Sequence, residues 1–312
     1  MTAYLITGVA GFIGSNLAES LIQMGHDVIG IDNYLTGKEE NIGSLQTQMR
    51  FVEGDIRDTA LMNELCKGVD YVLHHAAMAS VPWSMKEPML AHDHNATGTL
   101  NVLLAARDNN VKKVVMAVTS AAYGNTNVLP AHEDLPPDPL SPYALTKLIG
   151  EQYLKLFSSA YGLPTVGLRY FNVFGQRQDP NSAYAAAIPI FARKLIHGES
   201  PVVFGDGEQT RDFVYIQDVV QANIKACQAG NDTDGDVFNI GTGKQITVNE
   251  LIEYMQTLLG THQEVQYVEE RAGDVKHSVA SIEKARRQLH YAPAYSVFDG
   301  LKNAIGWYTE NL

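Results

Sequence analysis

Two neighbouring segments of the chain carry side chains that can transfer a proton. Tyr143 and Lys147 stand four residues apart in "SPYALTK", so on a helix they share one face. The pKa of a free tyrosine is about 10, and a nearby ammonium lowers it by stabilising the phenolate. A hydroxyl from "TSAAYG", Thr119 or Ser120, can bridge a substrate and the tyrosine. The pattern predicts a tyrosine base assisted by a lysine, although a Tyr/Lys pair also occurs on ordinary surface helices.

The elements around these residues have to bring them together. Apolar runs alternate with helical patterns over the first half of the chain, and helices are expected at about 88–109 and at 143–161. The apolar runs predict strands at 3–7, 27–32, 50–55, 69–77, 112–120 and 164–170. This alternation gives parallel βαβ units with right-handed crossovers. It therefore predicts an α/β fold with a doubly wound parallel sheet, the Rossmann arrangement.

The pattern becomes less regular after residue 172. We assign 1–171 to the Rossmann domain, expect 212–240 to return to it, and assign 172–211 and 241–312 to a smaller C-terminal α/β domain. In that second region Thr247 and Glu250 predict a capping box at the start of a helix.

A glycine-rich turn lies between the first strand and the first helix. The segment "TGVAGFIG" contains Gly8, Gly11 and Gly14, and the amides at a helix start can hold a pyrophosphate. By itself the spacing also fits an ordinary tight turn. Asp32 ends the second strand, where an acid can bind the ribose hydroxyls of adenosine and repel a 2′-phosphate. With Asp55 ending the third strand near the expected adenine, the sequence predicts NAD binding in preference to NADP.

Composition and charge exclude several other classes of function. The net charge of −12 argues against nucleic-acid binding, which requires a basic face. The two cysteines, Cys66 and Cys227, favour a reducing compartment, and no apolar stretch approaches the ~18 residues of a membrane span. With no signal-peptide pattern, a cytoplasmic protein is expected. His92 and His94 are two apart and would not face each other on a helix, so no metal site is predicted.

The motifs together resemble those of the extended short-chain dehydrogenase/reductase family. The resemblance covers nearly the whole chain and rests on "TGVAGFIG", "IDNYLTG", "GDIRD", "HHAAMASVP", "TSAAYG", "YALTK", "RYFNVFG", "GDGEQTRDFVYIQDV" and "RAGDVKHS". Within this family the chain is most similar to the UDP-hexose 4-epimerases, in particular to the UDP-N-acetylglucosamine 4-epimerase branch. The resemblance implies NAD as cofactor, a UDP-sugar substrate bound by the C-terminal domain, and a homodimer formed through two helices of each subunit.

The resemblance also implies roles for individual residues. Catalysis is expected from Thr119 with Ser120, Tyr143 and Lys147. Cofactor contacts are expected from Gly8, Gly11, Phe12, Ile13, Gly14, Asp32, Asn33, Gly37, Asp55, Ile56, Ala76, Ala77, Asn95, Lys147 and Tyr170. Substrate contacts are expected from Ser80, Thr119, Tyr143, Asn172, Ala186, Arg211, Arg271, Asp274 and Ser278. Arginine suits a diphosphate because its guanidinium forms charge-assisted, bidentate hydrogen bonds.

The residues that follow Thr119 indicate which reaction the catalytic trio of Thr119, Tyr143 and Lys147 can perform. In similar dehydratases an Asp–Glu pair follows the threonine, and in similar decarboxylases a glutamate stands two residues before the tyrosine of "YG". Here these positions hold Ser120 and Ala121, which cannot supply a carboxylic acid. A base and a hydride acceptor remain, and these suffice for epimerisation at C4 through a transient 4-keto sugar. A dehydratase or decarboxylase, and a non-catalytic NAD-sensing module, are the alternatives; retention of Thr119, Tyr143 and Lys147 disfavours the latter.

The sugar preference is expected to depend on a small residue in "RAGDVKHS". Ser278 stands where the resemblance places a residue that sets the width of the sugar pocket, and a small side chain there admits a 2-acetamido group. The sequence therefore predicts conversion of UDP-N-acetylglucosamine to UDP-N-acetylgalactosamine, of UDP-glucose to UDP-galactose, or of both. Ala79, Trp83 and Ala121 depart from the glycine, arginine and serine expected in similar proteins.

Overall fold

A seven-stranded parallel sheet forms the centre of the protein. The computed structural model describes residues 1–179, 187–270 and 275–312. The strands are β1 (Ala3–Thr7), β2 (Asp27–Asp32), β3 (Arg50–Glu53), β4 (Tyr71–His74), β5 (Lys113–Thr119), β6 (Thr165–Tyr170), β7 (Asn172–Phe174), β8 (Val202–Phe204), β9 (Thr210–Arg211), β10 (Phe213–Tyr215), β11 (Asp236–Ile240), β12 (Ile246–Thr247), β13 (Gln266–Val268) and β14 (His277–Ser278). The large sheet has the order β11-β6-β5-β4-β1-β2-β3, with all neighbours parallel. The predicted doubly wound α/β fold is confirmed.

Helices cover both faces of this sheet. They are α1 (Phe12–Gln23), α2 (Thr59–Leu65), α3 (Val81–Lys86), α4 (Pro88–His92), α5 (Gly98–Asp108), α6 (Pro142–Tyr161), α7 (Ala187–Ile196), α8 (Ile216–Gln228), α9 (Val248–Leu259), α10 (Glu283–Gln288) and α11 (Val297–Asn311). Successive strand residues enter opposite apolar layers, Leu5 and Val72 in one and Ile6 and Leu73 in the other. A strand buried on both faces reads as a continuous apolar run, which is why these strands are visible in the sequence.

The strand order reverses between β1 and β4. From β1 the chain runs outward through β2 to β3, then returns to place β4 on the other side of β1. In open α/β sheets a ligand crevice forms outside the carboxyl ends of the strands at this switch point. Thr7 and His74 end the two central strands there, and Thr119 ends β5 beside them.

Two strands end two or three residues earlier than the sequence predicts. β4 stops at His74 because the next amides leave the ladder and bind Thr7: His75 N donates to its carbonyl oxygen and Ala76 N to its hydroxyl, both at 3.1 Å. β3 stops at Glu53, since Asp55 accepts a hydrogen bond from the Arg57 amide at 2.8 Å and forms a turn.

The predicted regular helix over 88–109 is wrong in one respect. A π-helical turn, Asp93–Thr97, separates α4 from α5. Asn95 lies in this turn, and its amide side chain binds the backbone of Met78 instead of solvent. Such turns insert one extra residue into a helix and are frequent at functional sites.

The catalytic helix predicted at 143–161 is present as α6. Ser141 caps it by accepting a hydrogen bond from the Ala144 amide at 3.1 Å, and Gly162 ends it with φ +68°. The predicted capping box of Thr247 and Glu250 is also confirmed at the start of α9.

Small sheets and helices follow in the second half of the chain. β7 pairs with β10, β9 lies between β12 and β14, and β8 pairs with β13. β11 instead joins the large sheet beside β6, and α8 packs on β5, β6 and α1. The division into two domains remains a prediction. None of the helices in the described ranges combines the length and apolar character needed to cross a membrane.

Candidate active site

A cleft of about 790 Å³ opens beside the carboxyl ends of the central strands. Many of the residues assigned from the sequence line it together. They are Gly8, Gly11, Phe12, Ile13, Gly14, Asp32, Asn33, Gly37, Ile56, Ala76, Ala77, Ser80, Thr119, Tyr143, Lys147 and Tyr170. The cleft therefore joins the glycine-rich turn to the tyrosine and lysine of α6.

The glycine-rich turn can accept a ligand close to its backbone. Gly8 has φ +74°, and a Cβ on Gly14 would lie 2.2 Å from the Gly8 carbonyl oxygen. The helix start therefore packs directly on the turn, and the amides at the start of α1 lie at the cleft wall. This is the cradle that a pyrophosphate requires.

Asp32 is held with its carboxylate at the cleft. One oxygen accepts a hydrogen bond from the Ala10 amide at 2.9 Å, and the other accepts from the Tyr34 amide at 2.8 Å. Burial raises the pKa of Asp32, and these amides oppose the shift. Each carboxylate oxygen keeps acceptor capacity for a further donor, such as a ribose hydroxyl.

Asp55 supports the cleft from behind. Its carboxylate binds Arg57 through two hydrogen bonds, at 2.9 and 2.8 Å, and also accepts one from the side chain of Asn33. The hydrogen bonds from Arg57 hold the pKa of Asp55 well below its usual range. The neighbours Gly54 and Ile56 line the cleft, so Asp55 positions its wall.

Lys147 lines the cleft and also contacts the strand β5. Its ammonium donates a hydrogen bond to the Ala117 carbonyl oxygen at 3.0 Å. Lys147 is 3% exposed, and burial lowers its pKa to about 8.

Tyr143 of α6 lies beside Thr119. Tyr143 is half-buried, and burial raises its pKa, while a hydrogen bond with Thr119 acts in the opposite direction. A lowering of this pKa by Lys147 together with the nicotinamide charge of bound NAD stays a prediction. The Thr119 hydroxyl also accepts a hydrogen bond from the Ala121 amide at 3.1 Å, which fixes its position at the end of β5.

Asn95 and Ser120 do not line the cleft. Asn95 is 1% exposed, and its side chain donates to the Thr146 hydroxyl at 3.0 Å, which in turn donates to the Tyr143 carbonyl oxygen at 2.9 Å. Asn95 thus supports the catalytic helix from behind. Ser120 begins the short 3₁₀ turn that follows Thr119.

A second cavity of about 410 Å³ adjoins the cleft, since Val173 and Gln178 line both. Asn172 and Arg211 line it, among mostly apolar side chains. Ser278 is the neighbour of Arg211 in the β14–β9 pair but lines neither space. Three further predicted contacts, Ala186, Arg271 and Asp274, lie outside the described residues.

Two residues of the site are not predicted by the sequence pattern, one bound to Tyr143 and the other to Tyr170. Ser84 accepts a hydrogen bond from the Tyr143 amide at 3.1 Å across a separation of 59 positions. His75 lines the cleft and pairs with the Tyr170 hydroxyl at 3.0 Å. The only trace of Ser84 in the sequence is its place in "SVPWS", next to Trp83, which also lines the cleft.

Comparison with known proteins places this site in a family. Residues 4–241 match the model described as "NAD dependent epimerase/dehydratase family". A UDP-glucose 4-epimerase of Mycolicibacterium smegmatis is 35% identical over 308 residues, with 97% of each chain covered.

Two solved structures are similar over the full length. A UDP-N-acetylglucosamine 4-epimerase from Methanobrevibacter ruminantium M1, in complex with UDP-N-acetylmuramic acid, has a TM-score of 0.95 and 40% identity, covering 100% of this chain and 99% of that one. A UDP-glucuronic acid 4-epimerase from Bacillus cereus, in complex with UDP-glucuronic acid and NAD, has a TM-score of 0.91 and 32% identity, covering 100% of both chains.

The residues of the cleft fit the cofactor of this family. The turn at Gly8 and Gly14 leaves no room for a Cβ but presents amides to a pyrophosphate, and Asp32 offers acceptors to a ribose. The predicted NAD dependence and family resemblance are confirmed. The chain belongs to the NAD dependent epimerase/dehydratase family.

Proposed function

We propose that the protein is a UDP-sugar 4-epimerase. It interconverts UDP-N-acetylglucosamine and UDP-N-acetylgalactosamine, or UDP-glucose and UDP-galactose, or both pairs, through a transient 4-keto sugar. Similarity over the whole chain to 4-epimerases of several UDP-sugars supports the reaction type.

The distribution of carboxylates in the cleft is the observation that carries this proposal. Among the described lining residues the carboxylates are Asp32 and Asp179. Asp32 binds the Ala10 amide of the glycine-rich turn, and Asp179 pairs with Lys38, whose amide binds the carbonyl oxygen of Ala10. Both acids are therefore connected to the glycine-rich turn at Ala10. Among the described lining residues near Tyr143, the tyrosine can act as a base and no carboxylic acid is present.

The chain's own residues then have separate tasks at the sugar. NAD, when bound, supplies the acceptor and later the donor of the C4 hydride, together with the positive charge of its nicotinamide ring. Tyr143 takes the proton of the 4-hydroxyl and returns it after the sugar has turned. The Thr119 hydroxyl, fixed by the Ala121 amide, orients the phenol and O4. Lys147, bound to the Ala117 carbonyl oxygen, provides a positive charge at the cleft wall.

A second group of residues holds the rest of the substrate. Arg211 and Asn172 line the adjoining cavity, where a guanidinium can bind a diphosphate. A diphosphate anchored there leaves the hexose free to present either face of C4 to the cofactor. We include Arg271, Asp274 and Ala186 in the substrate site by resemblance alone.

Dehydration or decarboxylation is the competing reaction class. Both need an acid or base at the sugar besides the tyrosine, and Ser120 and Ala121 occupy the positions expected to provide it. No observation at the cleft favours either reaction over epimerisation.

We further propose that Ser278 admits the 2-acetamido group. By resemblance, Ser278 stands where a side chain sets the width of the sugar pocket, and it pairs with Arg211, which lines the adjoining cavity. A tyrosine ring at this position would take the space of a 2-acetamido group. Ser278→Tyr is expected to abolish activity on the acetylated pair and to spare activity on UDP-glucose, if the wild type has it.

The experiment measures kcat/KM for both sugar pairs in wild type and variant. His277→Tyr is the matched control, because adjacent strand residues face opposite sides and the same ring then points away. Equal loss of both activities in Ser278→Tyr, or no loss on the acetylated pair, contradicts the assignment of Ser278.

A homodimer is part of the same proposal. Leu145 and Leu156 are half-exposed, at 48% and 47%, and lie on one face of α6 about three turns apart. An exposed apolar stripe on this helix suits the pairing of two helices from each subunit. Sedimentation equilibrium is expected to give twice the mass of the chain, and a monomer at micromolar concentration contradicts the proposal.

A further inference from the structure

The backbone amide of Tyr143 is bound by a side chain from another helix. The Tyr143 N–H donates to Ser84 Oγ at 3.1 Å, and the Ser84 hydroxyl donates to the Val81 carbonyl oxygen at 2.7 Å. Because Val81 offers only an acceptor at this contact, the serine proton must point to it and the serine lone pair to Tyr143. Ser84 is completely buried, so water does not compete for either bond.

This bond supplies a partner that α6 itself cannot provide. The first amides of a helix have no acceptor within the helix. Pro142 has no N–H, and Ser141 accepts the hydrogen bond of Ala144, so the amide of Tyr143 depends on Ser84. Without that hydroxyl the amide would be buried and unsatisfied, and the first turn of α6 would shift to find another acceptor.

The opposite side of the same residue is also tied down. The Tyr143 carbonyl oxygen accepts a hydrogen bond from Thr146, whose hydroxyl is bound by Asn95. The backbone of Tyr143 is therefore held between Ser84 on one side and the Asn95–Thr146 pair on the other. Its phenol contacts Thr119 from this fixed backbone.

The helix that carries Ser84 also forms part of the cleft wall. Ser80 caps α3 by accepting a hydrogen bond from the Trp83 amide at 3.1 Å, and both residues line the cleft with Tyr143. A single short helix thus carries side chains that can contact the sugar and the hydroxyl that holds the tyrosine. The α3 wall and the first turn of α6 are therefore joined by the Ser84–Tyr143 hydrogen bond.

We propose that Ser84 is a positioning residue for Tyr143, which sets the place of the phenol relative to the sugar and couples it to the α3 wall. This inference rests on the proposed function, because it assumes that Tyr143 takes the proton from the sugar. Ser84 itself contacts neither substrate nor cofactor, since its hydroxyl is fully used by Tyr143 and Val81.

The test distinguishes the effect of losing the Ser84 hydroxyl from the effect of changing the side-chain volume. In the NAD-containing protein, Ser84→Ala is expected to lower kcat by roughly tenfold, because a small displacement of a reacting group is costly, while KM and bound NAD change less than about twofold. Ser84→Thr and Ser84→Val add the same volume and differ only in the hydroxyl. The threonine variant is expected to retain a kcat roughly tenfold above that of the valine variant.

Ser158→Ala is the control for loss of a serine hydroxyl from α6, the helix that carries Tyr143. The Ser158 hydroxyl binds the Leu163 carbonyl oxygen at 3.0 Å and lies about 22 Å along α6 from Tyr143. This variant is expected to keep the wild-type kcat even if its melting temperature falls.

Parallel assays of wild type and Tyr143→Phe distinguish a failure of the proposed role of Ser84 from a failure of the proposed function. If wild type turns over and Tyr143→Phe does not, a wild-type kcat in Ser84→Ala, or equal values in the threonine and valine variants, overturns the role of Ser84 alone. Full activity of Tyr143→Phe instead overturns the proposed mechanism and the inference with it. If the wild type turns over neither sugar pair, the proposed function is contradicted, and the inference about Ser84 is contradicted with it.

Discussion

The Lys147 ammonium donates its hydrogen bond to the carbonyl oxygen of Ala117, 3.0 Å away on β5. The cation is thereby fixed to the strand that ends at Thr119, and Lys147 and Ala117 both line the cleft. Its charge is nearly removed from water, and the protein bears the cost of that burial before any ligand is present.

This cost leads to a prediction for stability as a function of pH. Burial lowers the pKa of Lys147 from its ordinary value of 10.5 to about 8, which corresponds to about 3 kcal/mol of destabilisation when the lysine is charged. Below pH 8 the folded and unfolded forms are both protonated, so the full penalty applies. Between 8 and 10.5 the folded form loses its proton first, and the penalty disappears.

Lys147→Met is therefore expected to stabilise the NAD-free protein at pH 7. The gain is about 2 kcal/mol in the free energy of unfolding, after about 1 kcal/mol is subtracted for the lost hydrogen bond to Ala117. The advantage should shrink steadily from pH 8 towards 10.5. Urea denaturation of both proteins at pH 7, 9 and 10 measures this, and a variant that is less stable at pH 7 shows that the buried charge is not costly.

Replacing the proposed base is expected to remove activity without removing the cofactor. Tyr143→Phe deletes only the phenolic oxygen, and loss of a general base costs ~10²–10⁴-fold in rate. Steady-state turnover and the NAD content of the purified protein are the two measurements. Turnover within a few-fold of wild type would mean that another group takes the proton.

The cofactor preference is expected to follow from Asp32. Its carboxylate is held by the amides of Ala10 and Tyr34 and can accept the ribose hydroxyls of NAD, while it repels a 2′-phosphate. Extraction and chromatography of the cofactor from purified protein should give NAD, and NADP should bind poorly to the stripped protein. NADP as the main extracted nucleotide would contradict this reading of Asp32.

A buried ion pair joins α6 to β6, and we expect it to be important for the stability of the fold. Arg169 Nε and a terminal nitrogen bind the two carboxylate oxygens of Glu151 at 2.8 and 2.6 Å, and both side chains are almost fully buried. Glu151→Gln should lower the free energy of unfolding by about 3–5 kcal/mol, because it leaves a buried guanidinium without its counter-charge.

The matched control for this prediction is an exposed pair. Glu64 lies 3.4 Å from Arg50, and both side chains are more than half exposed. Glu64→Gln should therefore cost less than about 1 kcal/mol. Equal effects of the two substitutions in chemical denaturation would rule out a special role for the buried pair.

The parts of the site that the sequence predicts are those built from local geometry. The turn from β1 into α1 and the acid at the end of β2 lie within the first 32 residues, and strand, turn and helix patterns fix their arrangement. Tyr143 and Lys147 are likewise neighbours on one helix. For such residues the spacing along the chain is enough to predict which side chains lie close together.

The parts that the sequence did not predict depend on tertiary packing. Ser84 meets Tyr143 only because α3 packs on α6, and no local pattern distinguishes this serine from a solvated one. Burial raises the pKa of Tyr143 in the NAD-free protein, and this burial likewise depends on packing between segments that are distant in the sequence. The π turn at Asn95 has the same origin, because its partner Met78 lies on a different segment.

The most direct test of the account is the reaction of the purified protein with UDP-N-acetylglucosamine, without added reductant, in D₂O. We expect UDP-N-acetylgalactosamine of unchanged mass, with no carbon-bound deuterium, and the same final ratio when the reaction starts from either sugar. Hydride that leaves C4 and returns to it never exchanges with solvent, which explains the absence of deuterium. A product lighter by water, or no product from either the acetylated or the non-acetylated sugars, would contradict the proposal of a UDP-sugar 4-epimerase.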